Sequence, residues 1–458
     1  MTASPRIATV HPVSEQTPPG PTQGGLLAKL WTGYRFLSDS VGVVSERFER
    51  HGDIYYVPGK PDGLYVLRHP DHVYRVLVEQ ASSFTKQHDA LERLSRVLGG
   101  GLLTSDGDAW RRHRRMIQPA FQHARLVGYC SLMTQATEAL AERWHDGATV
   151  DMGHEMMTLT LDVVCRALFS HDAGQEASEV AEAMATLQDS VTRPDLLPAW
   201  FPSPGRRRLR GAIESLDRII YGMIRARRGR GLGDHDDLLD RLLSAQDDAG
   251  TGLTEREVRD ELVTLFLAGH ETTAQALTWT WYLLSQHPEV AARLGRELSE
   301  VLGGRSPSYE DLDRLPYTEQ VIEEAMRLYP PVYVIARRAA EDVTVGEYRV
   351  PRGSELVIWV LLTHRDPRWY PEPLSFRPER FAPEAKAALP RAAYVPFGAG
   401  PRTCIGKVFA MLEARLILAT LFQRFRPALV PGHRVALKPR VTLTPEHGMP
   451  MRLRSIVR

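Results

Sequence analysis

The sequence predicts a mainly helical α+β protein. Three observations carry that expectation. Long stretches of 3.6-residue apolar periodicity fill the middle of the chain. Short runs of β-formers lie outside them, and a proline-rich meander precedes the C-terminal part.

Residues 1–25, rich in Pro, Thr, Ser and Gly, are expected to be flexible, and 26–458 to form one domain. The spacing predicts an amphipathic helix over 26–50. Residues 53–67 read as a hairpin, with turn signals at Pro58-Gly59 and Pro61-Asp62-Gly63. A very basic helix follows Asp108-Ala109-Trp110. Further helices are expected over 126–144, 152–170, 177–191, 206–228 and 237–245, with Pro194, Pro198, Pro202 and Pro204 interrupting the series. A long helix over 254–286 starts at the capping box Thr254-Glu255-Arg256-Glu257. More helix runs to Leu328, then short strands near 343–350 and 356–359. Residues 364–396 form the meander, which a compact protein keeps for function. After a helix beginning near Val408, residues 435–453 read as a small hairpin.

The 57 Lys and Arg against 56 Asp and Glu leave a net charge of +1, so no global charge points to nucleic acid. The 3 cysteines, Cys130, Cys165 and Cys404, are too few and too odd for a disulfide framework. They read as reduced thiols of a cytoplasmic protein. No signal peptide and no run of the roughly 20 apolar residues that span a bilayer is seen. A monomer is expected.

Cys404 ends a Gly/Pro-rich loop just before a helix start, where backbone N–H groups favour a thiolate, and Arg402 adds positive charge. A buried structural cysteine, a nucleophile and an axial haem ligand all remain open on that ground. Zinc lacks its CxxC or paired-His signature. The long helix carries Ala268-Gly269-His270-Glu271-Thr272-Thr273. A glycine followed by two threonines weakens a helix by roughly 1–2 kcal/mol, and such local conflict marks functional positions. Glu324 and Arg327 share a helix face, and Pro378-Glu379-Arg380-Phe381 follows in the meander.

The run Phe397, Gly398, Gly400, Arg402, Cys404, Gly406 resembles the cysteine loop of the cytochrome P450 family, and the similarity extends from about residue 53 to the end. The resemblance implies haem b (iron protoporphyrin IX) with Cys404 as iron ligand and Phe397 packed beside the sulfur. It implies that Glu271 relays protons, that Thr272 holds water at the iron, and that Ala268 and Gly269 leave room for the ligand. Glu324, Arg327 and Arg380 match the family's structural triad. Trp110, Arg114, Arg402 and Arg337, with Arg338 as rival, match its propionate partners.

The expected substrate pocket draws on Leu91, Leu94, Val97, Leu98, Leu102, Phe266, Ala268, Val332, Val334 and Ile335. All are apolar, which favours a terpenoid, fatty acyl, steroid or polyketide-like substrate. The expected reaction inserts one oxygen atom from O2. Desaturation, epoxidation or oxidative coupling on the same haem is the alternative; a haem sensor without turnover predicts no acid–alcohol pair. Electrons are expected from a separate ferredoxin or flavodoxin with its reductase, docking on Arg111, Arg112, Arg115, Lys407 and Arg415.

Overall fold

The computed structural model of the chain describes residues 17–22, 24–58, 63–171, 176–192, 203–231, 237–246 and 250–456. Most of the flexible segment expected at the start, the turn residues 59–62, and Pro194, Pro198 and Pro202 lie outside these. Helices dominate, as the periodicity predicts, and small sheets lie to one side. The expected first helix is instead two, Leu26–Ser38 and Ser40–His51. Asp39 leaves helical geometry at φ −150°, and its carboxylate accepts the Gly42 N–H at 2.8 Å. An Asx cap has outcompeted helix continuation.

The hairpin forms as expected. Ile54–Val57 pairs antiparallel with Leu64–Leu67, which then pairs parallel with Glu355–Ile358. The strand Ile335–Ala339 pairs with Glu355–Ile358, and Phe84–Thr85 closes the edge. Residues far apart in sequence therefore share one five-stranded sheet. Only part of 435–453 is a hairpin, Leu437–Pro439 with Leu443–Pro445; Pro450–Arg452 instead pairs with Thr149–Asp151 and Ala428–Leu429.

The helix Glu255–Gln286 runs through the main core. Its capping box is complete: Glu257 N–H donates to Thr254 Oγ1 at 3.2 Å, and Thr254 N–H to Glu257 Oε2 at 2.7 Å. It packs along Met152–Phe169 and against Lys407–Phe422. Helix crossings this close want a small residue, and at Gly269 a Cβ would lie 3.0 Å from Val164 Cγ2. Gly269 thus lets the long helix pack closely on Met152–Phe169. Among the described residues no helix is long and apolar enough to cross a membrane.

Candidate active site

The cysteine loop is shaped by two glycines in the left-handed region, Gly398 and Gly400, both at φ +68°. At Gly400 a Cβ would stand 1.9 Å from Leu77 O, so only glycine fits. The turn closes with Cys404 N–H donating to Phe397 O at 2.9 Å. The Gly406 N–H and the charges of Arg114 and Lys407 favour a thiolate, while burial pushes the Cys404 thiol up. Yet Cys404 has exposed area. A sulfur that keeps free area and still feels burial faces a hollow closed by protein.

The long helix borders such a space. Residues 258–267 and 273–281 are buried, but between them Ala268 is exposed and Gly269 and Thr272 are half-buried. A helix wrapped in protein at both ends and bare in the middle fronts a cavity. Thr272 Oγ1 donates back to Ala268 O at 2.8 Å. Glu271 points elsewhere: it is buried and accepts from Thr442 Oγ1 at 2.5 Å. Burial pushes its carboxyl up to about 7, against the pull of Thr442, Arg440 and Gln188. Behind the same helix burial holds Glu413 well above the usual carboxylate range, with Thr273 pulling against it.

Cations converge beside the cysteine loop. The Arg402 guanidinium lies 3.8 Å over the Trp110 ring and pairs with Asp106. Arg114 lies 5.6 Å over the same ring and donates to Thr403 O at 3.1 Å. Arg337 is buried, donates to Ala336 O at 2.8 Å, and is pulled down to about 10 by burial and by Arg402. Lys86, absent from the sequence-based set, donates to Leu103 O at 2.6 Å and is pulled down to about 7 by burial, Arg337 and Arg402. Arg402, Arg337 and Lys86 gather round the carboxylate of Asp106, with Arg114 close by on the Trp110 ring, and the depressed Lys86, Arg337 and Arg402 mark a place for an anion. A dianionic flat cofactor over Cys404 fits these residues.

Strand alternation separates the two rivals. Arg338, on the other face, is held by Asp89 at 3.1 Å and Glu355 at 3.0 Å. Arg337 lies within the strand Ile335–Ala339.

The Glu-Arg-Arg network assembles. Arg327 grips Glu324 through two bonds of 2.6 and 2.8 Å, both side chains fully buried. It also donates to His364 O at 2.9 Å, Pro373 O at 2.8 Å and Ser375 O at 3.2 Å. Arg380 stands 3.4 Å from Glu324 Oε1. The meander and the helix Pro316–Leu328 are thereby tied together, and His364 Nε2 accepts Val395 N–H at 2.9 Å just before the cysteine loop.

Several expectations change. Leu98 and Phe266 are core residues, 0 and 1 % exposed, and Phe266 meets Phe169 at a ring distance of 5.0 Å. Val97 and Leu91 are also buried, and Val334 packs with the cluster of Phe48, Tyr55 and Trp359. Leu94, Leu102 and Ile335 are half-buried, and Val332 is exposed. In the basic set, Arg112 pairs with Glu257 at 3.1 Å, Arg415 with Glu319 at 3.0 Å and Arg111 with Asp108 at 2.5 Å. Arg115 and Lys407 are exposed. Lys86, Asp106 and Thr442 escaped sequence reasoning because no local pattern announces a partner so far away.

A family model, Cytochrome P450, matches residues 18–449. Cyclooctatin synthase of Streptomyces melanosporofaciens is 40% identical over 86% of this chain and 87% of its own. Cyclooctat-9-en-7-ol 5-monooxygenase of the same organism is 37% identical over 83% and 84%. Pentalenene oxygenase of Streptomyces avermitilis is 35% identical over 89% and 91%. A match of this reach, on a chain that folds its cysteine loop and buried ion network as described, places the protein in the cytochrome P450 family.

Proposed function

We propose that this monooxygenase oxygenates a small cyclic terpenoid, in the cytoplasm, with electrons from a separate ferredoxin or flavodoxin and its reductase. Cytochromes P450 bind haem and use O2, and the chain is an oxidoreductase of that kind. The observation that carries the substrate class is the similarity to pentalenene oxygenase and cyclooctat-9-en-7-ol 5-monooxygenase, at 35 and 37% identity. The half-buried Leu94, Leu102 and Ile335 would offer such a molecule apolar contacts without a fixed charge.

Cys404 would hold the iron, and Trp110, Arg114, Arg337, Arg402 and Lys86 would take the two carboxylates. When bound, the haem would supply dioxygen activation, with the Cys404 thiolate donating electron density to its iron. The protein's share is positioning and proton supply. Glu271 carries a proton near neutrality because its site is dry. Thr272, whose Oγ1 has spent its hydrogen on Ala268 O, keeps lone pairs to hold a water on the hollow side. Apolar walls exclude other water, which limits proton leakage.

The test supplies the holoprotein with a surrogate ferredoxin and reductase and a panel of terpenoid hydrocarbons, fatty acids and steroids. A spin-state shift and a product heavier by one oxygen atom are expected for terpenoids. Turnover of fatty acids or steroids alone would replace the substrate class. In the reduced, carbon monoxide-bound protein the strongly red-shifted Soret band should appear, and Cys404→Ser should abolish it.

A further inference from the structure

The helix Leu26–Ser38 stands apart in its exposure. Leu27, Leu30, Trp31, Tyr34 and Leu37 are 82, 61, 62, 63 and 80% exposed. Their spacing puts all five on one face, over about a third of the circumference at 100° per residue. The Trp31 and Tyr34 rings stack on that face at 5.9 Å. A 13-residue helix is marginal in water by propensity alone and normally holds by burying an apolar face. Among the described residues nothing covers that face, and an exposed apolar patch of this kind marks an interaction site.

The chemistry of the helix selects the occupant. It carries Lys29 and Arg35 and no acidic residue. The next helix adds Arg47 and Arg50 beside Glu46 and Glu49, and Arg35 reaches Glu46 at 2.8 Å. Trp and Tyr favour the boundary between lipid tails and headgroups, and cations favour anionic lipid. Leu and Trp on one face with Lys and Arg elsewhere is the pattern of a helix lying in the bilayer surface. The placement also suits it. Pro19 O accepts Tyr56 N–H at 3.1 Å, so the segment leading to the helix runs along the outer strand of the five-stranded sheet. The helix itself packs on Ser40–His51, and among the described residues none is seen packed over its apolar face.

We propose that Leu26–Ser38 is an interfacial anchor that lays Leu27, Leu30, Trp31, Tyr34 and Leu37 into the headgroup region of an anionic membrane. The binding is reversible and requires both the apolar face and the lipid charge. It does not depend on which molecule the haem site oxidises.

Co-sedimentation of the full-length holoprotein with phosphatidylcholine vesicles, with and without phosphatidylglycerol, tests this. Binding to the anionic vesicles is expected, weakening as salt is raised. The double substitution Leu30→Ser with Trp31→Ser should lower vesicle affinity about tenfold or more. Lys29→Glu should weaken binding to anionic vesicles. The carbon monoxide spectrum of these variants should match the parent, which keeps misfolding from being read as lost binding. Failure to sediment with anionic vesicles, or sedimentation that survives the double substitution, overturns the proposal. So does a concentration-dependent dimer in sedimentation equilibrium that the same substitution dissolves, because a second copy then covers the helix. Slow hydrogen exchange over 26–38 without vesicles, lost on deleting residues 1–16, would assign the cover to the chain's own start and equally overturn it.

Discussion

Thr442 donates its hydroxyl to the Glu271 carboxylate at 2.5 Å, although 171 residues separate them. The bond joins the long helix to the turn between strands Leu437–Pro439 and Leu443–Pro445. Next to it, Arg440 reaches Asp189 at 3.2 Å, with side-chain exposures of 25 and 41%. The acid of the acid–alcohol pair thus stands at the inner end of a polar row that leads toward solvent. Thr442 stabilises the charged form of Glu271, so removing its hydroxyl lifts Glu271 further. Thr442→Val should move the alkaline limb of the pH profile for product formed per electron to higher pH, with the carbon monoxide band unchanged. A limb that stays in place removes Thr442 from proton supply.

Burial raises Glu271 from the ordinary 4.5 to about 7, and that shift has a stability consequence. A carboxyl raised in the folded state contributes stability that is fully present below about 4.5 and lost as pH rises through about 7. The step corresponds to about 3 kcal/mol. Glu271→Gln keeps the shape without the charge. It should unfold at higher urea than the parent above neutral pH and at similar urea in acid. Equal midpoints at both ends of the range would show that the carboxyl is not desolvated as described.

In the Glu-Arg-Arg network the two arginines are unequal. Arg327 makes two short bonds to Glu324 and three to meander carbonyls, whereas Arg380 stands 3.4 Å off and donates to Pro371 O and Glu372 O. Arg327→Ala leaves a buried carboxylate unpaired, at about 3–5 kcal/mol. It should yield protein that loses haem or does not fold. Arg380→Ala should cost about 1–2 kcal/mol and retain haem. Urea midpoints and haem absorbance decide, and a larger loss from Arg380→Ala reverses the ranking.

How far the sequence could be read follows from how local each signal is. The capping box at Thr254 and the loop glycines before Cys404 act within a few residues, so their chemistry is visible in the chain. Glu324 and Arg327 look like an ordinary helix pair until the meander supplies Arg380, and only the family resemblance joined them. Lys86 and Thr442 have no local signature; their roles arise where Phe84–Thr85 meets Ile335–Ala339 and where a C-terminal turn meets the long helix. Asp39 splits the first helix because a short carboxylate can cap a backbone N–H, a choice that apolar periodicity does not register. Leu98 and Phe266 satisfy the pattern of pocket residues, yet apolar character alone does not distinguish a cavity wall from core.

The alternation of Arg337 and Arg338 across one strand yields a paired test. Arg337→Met removes a buried cation from the cluster with Arg114, Arg402 and Lys86, where no carboxylate among the described residues lies within ion-pair distance of it. Arg338→Met breaks contacts to the exposed Asp89 and the buried Glu355, away from the cluster. Haem release to apomyoglobin should speed up about tenfold or more for Arg337→Met, the equivalent of losing one charge-assisted bond. It should change little for Arg338→Met. Lys86→Met should behave like Arg337→Met. Equal release rates for all three would detach the cluster from the cofactor.

The proposed electron donor would meet the exposed members of the expected basic set. Arg112 and Arg415 are committed to Glu257 and Glu319, and Arg111 to Asp108. Arg115 and Lys407 are exposed, one on the Trp110 helix and one at the start of the helix after Cys404. Both lie on elements that hold the cysteine side of the site, the side from which an electron has the shorter path to the sulfur. Exposed charges steer an acidic partner mainly through association rate, and salt screens that attraction over roughly 10 Å. Charge reversal at Arg115 and Lys407 together should slow reduction by a ferredoxin at low salt, flatten its salt dependence, and leave the rate at saturating donor unchanged. If the double reversal leaves the low-salt rate intact, the donor meets a different face.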